Sequence, residues 1–201
     1  MGIVTGDAPI KLPEELFGTT VDVDFLFPNA NECMFGHSAE KWLEFSDICA
    51  SVQSGPAAAV KELLDTSQSE SIAAFGDFWN NHVLVQSAAA ADTAQKFATI
   101  LTLTASTIST YKTNAIRELD ALHDFLDRAV WWTWLPFADS AEEVQQQNKA
   151  TIDIARDRLA KQTADAKELL NLYADQMRAV QESVKQIAVQ IHQLRKNLQL
   201  D

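Results

Sequence analysis

The strongest pattern in the chain lies in its last third, where apolar side chains recur every seven residues. One row is Ile152, Leu159, Ala166, Tyr173, Val180, Ile187 and Leu194. A second row, four residues on, is Arg156, Thr163, Leu170, Met177, Val184, Ile191 and Leu198. All but Arg156 and Thr163 are apolar, as the seam of a long amphipathic helix requires. Ser140-Ala-Glu-Glu143 opens that helix with a capping box: the serine oxygen accepts from an orphan N–H, and Glu143 reaches back. The predicted helix covers 140–200 and spans roughly 90 Å at the α-helical rise.

The residues beside the seam are mostly Ala and Gln (Ala160, Ala174, Ala188, Gln162, Gln176, Gln190). A parallel zipper would carry Glu/Lys pairs there. Small flanks let a neighbour approach closely, which suits antiparallel packing against a preceding long helix. That helix is predicted over 57–135, with a possible interruption in the serine-rich stretch 66–71. Its run Ile100 to Thr110 is β-branched and resembles a strand by propensity. The three-four rhythm of Phe97, Leu101, Ile108, Tyr111, Ala115, Leu122, Phe125 and Ala129, with no turn residues to make a hairpin, argues for helix. Ser38 is the predicted N-cap of a shorter helix over 38–54, with Trp42, Phe45 and Cys49 on one side and Gly55-Pro56 as its stop.

Glycine and proline occur at 2, 6, 9, 13, 18, 28, 36, 55, 56 and 76, and after that only at Pro136. Residues 1–37 therefore read as an irregular arm with one short turn near Pro13 to Leu16, its Phe17, Phe25, Phe27 and Phe35 folding back onto a helical body over 38–201. The expected fold class is all-α, an elongated helical bundle dominated by a long antiparallel helical hairpin, in one domain. A seam left open for a partner is the alternative to pairing within the chain.

Composition narrows the function. A net charge of -12 argues against nucleic acid, which is bound by clustered Lys and Arg. The N-terminus has no positive segment followed by an apolar one, so no ordinary secretory signal is expected. No stretch has the length of apolar sequence a transmembrane helix needs. Cys33 and Cys49, the two cysteines, read as separate buried thiols, with a disulfide as the alternative.

Catalytic patterns are missing. His37, His82, His123 and His192 lie in different segments with no paired spacing. Cys33, His37 and Cys49 offer donor atoms, but Cys-x3-His without a fourth ligand is not a zinc pattern. No phosphate-binding glycine loop, nucleophile elbow or zinc-protease helix is present. Acid pairs such as Glu14-Glu15 and Glu142-Glu143 sit at helix starts, where they complement the helix dipole. The expectation is a non-enzymatic protein with no cofactor and no metal.

Two aromatic groups stand out. Phe75, Phe78 and Trp79 share one face at i, i+3, i+4; core packing and partner contact are both open readings. Trp131, Trp132 and Trp134, with Phe137, fall at the bend of the hairpin. Tryptophan is favoured at protein and membrane interfaces, so this tip reads as buried against the arm, protein-binding or membrane-contacting.

Taken together, Leu12-Pro-Glu-Glu-Leu16, Phe27-Pro28, a first helix bearing Trp42, a Gly-Pro turn, and Ala73-Ala-Phe-Gly-Asp-Phe-Trp79 before a long alanine-rich helix resemble the WXG-like N-terminal domain of actinobacterial type VII secretion effectors. The resemblance covers residues 12 to about 130. The chain has no literal Trp-x-Gly, because Leu43-Glu44 follows Trp42 and Asn80-Asn81 follows Trp79. The family's Tyr-x-x-x-Asp/Glu export signal is also missing, since Ala115 follows Tyr111 at +4 and Met177 follows Tyr173. The resemblance implies an export-targeting domain or substrate that pairs with small WXG-type helical-hairpin proteins and the secretion machinery. It would leave the cell without a signal peptide, being cytoplasmic before export and secreted or surface-bound after it. The export signal would then reside on the small partner. Phe75, Phe78, Trp79, Leu170 and Met177 are the expected partner-binding residues. A helical pore-forming or membrane-active toxin component, acting through the Trp131 to Phe137 tip, is the alternative.

Overall fold

The computed structural model describes residues 8–132 and 141–197, and every element among them is helical. The all-α expectation therefore holds. A 3-10 turn, Glu14–Leu16, runs into α1 (Phe17–Asp22). It is followed by α2 (Glu32–Ser51), α3 (Gly55–Thr66), α4 (Glu70–Phe78), a π-helical turn Trp79–Val83, α5 (Leu84–Trp132) and α6 (Ala141–Asn197). Internal contacts group the chain into two units. One is built from residues up to Met34 with Thr104–Leu172, the other from Phe35–Leu103 with residues from Tyr173 on.

The arm is more ordered than its glycines and prolines suggest. Pro13 pre-sets the backbone ahead of Glu14 and Glu15, whose charges favour a helix start. The end of α1 is a Schellman motif: Phe25 N–H donates to Thr20 O at 2.9 Å and Asp24 N–H to Val21 O at 3.2 Å. Asp24 takes the left-handed position with φ of 51°, which aspartate tolerates better than most residues. Arg156 then donates to the carbonyls of Asp22 and Val23, at 3.2 and 3.3 Å.

The start of α2 corrects the Ser38 assignment. The helix begins at Glu32, and its cap is Asn31, whose side-chain oxygen accepts from Met34 N–H at 3.3 Å. Gly36 lies inside the helix rather than before it. The expected interruption near 66–71 is present: Ser67 is extended, and Ser69 caps α4 by accepting from Ile72 N–H. The β-branched run 100–110 is helical, and Thr99 and Thr102 return their hydroxyls to the carbonyls of Gln95 and Ala98. Ser140, the expected cap of α6, lies outside the described residues.

In the first unit, Leu16 and Val23 of the arm are buried against Ala115, Leu119 and Leu122 of α5 and Ala155 and Leu159 of α6. Burying a side chain such as Leu16 contributes about 1.5–3 kcal/mol. The two helices run antiparallel there: Tyr111 Oη lies 2.8 Å from Thr163 Oγ1, and Arg158 pairs with Glu118 at 2.9 Å. In the second unit, Ala39 of α2 packs on Ala98 and Leu101 of α5, with Trp42, Phe97 and Met177 against them. Ser46 of α2 donates to Ala91 O at 2.9 Å, which fixes the register of α2 on α5.

Candidate functional site

The most distinctive surface feature is an apolar groove of about 420 Å³ in the second unit, lined from α2, α5 and α6. Its small positions are Ala90, Ala94 and Ala188, where the absence of bulk leaves the space. Trp42, Phe45, Val184, Ile187 and Ile191 supply its large apolar side chains. Trp42 is braced edge-on by Phe45 at 5.9 Å and tilted on Phe97 at 4.7 Å, so its position is set by packing. Phe45 and Ile191 remain 44% and 52% exposed, which large apolar side chains in a finished core would not be. Among the described residues lining the groove the one charge is Lys41, held by both oxygens of Glu44 at 2.8 Å; these bonds raise the lysine pKa.

The groove explains part of the heptad. Val184, Ile187 and Ile191 are seam positions, and Ala188 is a small flank beside them. Finding it from sequence would have required knowing that α2 lies alongside and stops at Ser51.

The sequence-predicted partner residues fall in several places. Phe75 is 40% exposed, its ring 6.3 Å from that of Trp79. Phe78 and Trp79 are half-buried, and Phe78 lies 5.3 Å from the His82 ring. Trp79 is in the π-helical turn, and its buried Nε1 has no hydrogen-bond partner. Leu170 is half-buried. Met177 is half-buried and packs against the cluster of Ala39, Ala98 and Leu101. Trp131 and Trp132 belong to the last turn of α5, but their side chains, and Trp134 and Phe137 entirely, lie outside the described residues.

One buried polar site escaped the sequence reading. Lys112 and Glu32, 2% and 1% exposed at their side chains, form an ion pair at 2.8 Å. The ammonium also donates to Ile10 O at 3.0 Å and to Ala30 O, while Ile10 N–H donates to the other Glu32 oxygen. Burial pushes the Glu32 carboxyl up, but the bonds from Lys112 and Ile10, the backbone at Glu32 and the lysine charge outweigh it and hold the pKa below the usual value. Every donor of the ammonium is used, so the pair reads as structural. Among the described residues no group of three or more His, Cys, Asp or Glu side chains is placed to hold a metal. Cys33 and Cys49 are both unbonded, the first buried and the second half-buried, and burial pushes the Cys49 thiol up. No described helix is long and apolar enough to cross a membrane.

Comparison of the chain with protein-family models, with curated proteins and with solved structures returns no match.

Proposed function

We propose that the chain is a non-enzymatic protein-interaction module whose groove seats an amphipathic helix of a small helical-hairpin partner, and that this pairing targets it for type VII export. The observation that supports binding is the groove itself: large, partly exposed apolar side chains from α2 and α6 beside the small Ala90 and Ala94 of α5. A docked helix would enter it with side chains at i, i+3, i+4 and i+7. The export part is supported by the sequence resemblance across residues 12 to about 130. On this reading the protein is cytoplasmic before export and secreted or surface-bound after it.

The test is to purify the tagged protein from its native host, identify what accompanies it by mass spectrometry, and repeat with Phe45→Asp and Ile191→Asp. Both positions are exposed enough for the fold to tolerate the change. A stoichiometric small helical protein, lost in both variants while circular dichroism is unchanged, is expected. Retention of that partner by both helical variants would refute the groove. A companion of any other kind, or none, would refute the export pairing.

A further inference from the structure

We infer that residues 8–31 form a strap that lifts from α5 and α6 as a unit of its own, with Lys112 as its latch. The attachment adds a polar tie to the apolar contact that Leu16 and Val23 make with the core. Three oxygens meet the three ammonium hydrogens of Lys112, and they belong to Ile10, Ala30 and Glu32, on the strap or at the first residue of α2. Ile10 N–H closes the ring through the other Glu32 oxygen. Arg156 repeats the arrangement from α6, donating to the carbonyls of Asp22 and Val23.

Contacts of this kind open more readily than they mutate. When the strap lifts, water replaces the oxygens around both ions, and the desolvation that opposed their burial is recovered. Removing one partner while the strap stays down leaves a buried charge without compensation. The helices beneath remain joined, because Tyr111–Thr163 and Glu118–Arg158 run directly between α5 and α6. Lifting the strap therefore bares a helical pair whose face carries Ala115, Leu119, Leu122, Ala155 and Leu159.

Lys112 also makes that face selective. It interrupts the buried α5 row of Ile108, Ala115, Leu119 and Leu122. An apolar helix laid there would bury the ammonium without the carbonyls of Ile10 and Ala30 that the strap brings to complete the site beside Glu32. The strap is thus an intramolecular cover that its own seam recognises and that keeps other helices off.

Native-state hydrogen exchange of the full chain, read by mass spectrometry, tests this. In the wild type, strap amides such as those of Asp24 and Phe25 are expected to exchange at least tenfold faster than amides of 115–122. Lys112→Met should speed the strap by a further tenfold or more while changing 115–122 less than threefold. Glu32→Gln, which keeps the side-chain shape, should act in the same direction if the lysine variant does not fold. The double variant Lys112→Met/Glu32→Leu should recover part of the strap's protection, because no lone charge remains. Strap and α5 amides exchanging at one rate and shifting together in every variant would overturn the proposal, as would a strap indifferent to Lys112→Met and Glu32→Gln.

Discussion

Gly76 offers a test in which the sign of an effect, not only its size, is at stake. It lies in α4 where that helix meets α3, and a Cβ built on it would stand 2.6 Å from Leu64 Cδ2 and 2.9 Å from Cδ1. Two opposing effects follow from Gly76→Ala. Alanine gains about 1 kcal/mol of helix propensity over glycine. Against this, forcing a methyl into filled space costs roughly 1–3 kcal/mol. Leu64 is half-buried and its far end can turn aside only in part, which places the clash near the middle of that range, at about 2 kcal/mol. The net expectation is a destabilisation of about 1 kcal/mol, equivalent to about a fivefold rise in local opening. In a Leu64→Ala background the obstructing methyls are gone, and the same Gly76→Ala change should stabilise by about 1 kcal/mol. Hydrogen exchange of α3 and α4 amides in the four proteins of this cycle reads the local opening directly. Gly76→Ala acting with the same sign in both backgrounds would refute the claim that Leu64 is what demands glycine.

Three further outcomes are expected. Asp24→Gly should stabilise the protein by about 1 kcal/mol, because glycine accepts the positive φ without strain; a thermal melt rising by about 2–4 °C would register it, and an unchanged or lower midpoint would count against the Schellman assignment. Leu159→Ala, at a position 1% exposed between the strap and α5, should cost roughly 2–5 kcal/mol in urea denaturation, and a loss below about 1 kcal/mol would contradict its place in the core. Because the Glu32 pKa is lowered on folding, its contribution is complete above the free-glutamate value of about 4.3 and is lost as pH falls through the lower folded value. Denaturation across a pH series should therefore show stability falling below about pH 4.3, with a shallower slope in Glu32→Gln; identical slopes would show that Glu32 is not the group responsible.

Much of the helical plan was legible because local physics and packing agree along it. The seven-residue rhythm of α6 required a long helix, and the two positions that broke it were informative. Arg156 leaves the apolar row to bond the carbonyls at the end of α1, and Thr163 leaves it to meet Tyr111 Oη. The run 100–110 read correctly as helix because periodicity outweighed β-propensity, with Thr102 and the preceding Thr99 finding acceptors within the helix. The start of α2 was misplaced because Ser38 with its following acid looked like a cap, while Asn31 did the capping and Glu32 was drawn into the pair with Lys112. Lys112 itself stayed hidden: an isolated lysine in a helix reads as solvated, and its buried role depends on oxygens from Ile10 and Ala30, far away in sequence. The groove was hidden for a similar reason, since its lining comes from three separate helices.

The bonds from Arg156 to Asp22 and Val23 carry a consequence for the order in which the protein is made. The first helix is completed by a side chain more than a hundred residues downstream, so α1 is synthesised long before the group that closes it. Until α6 emerges, Leu16 and Val23 have only part of the surface that finally buries them. Contacts this distant in sequence close slowly, after local helix formation is done. This segment is therefore synthesised before α6 and settles after it, and for that interval Leu16 and Val23 are open to capture by a chaperone.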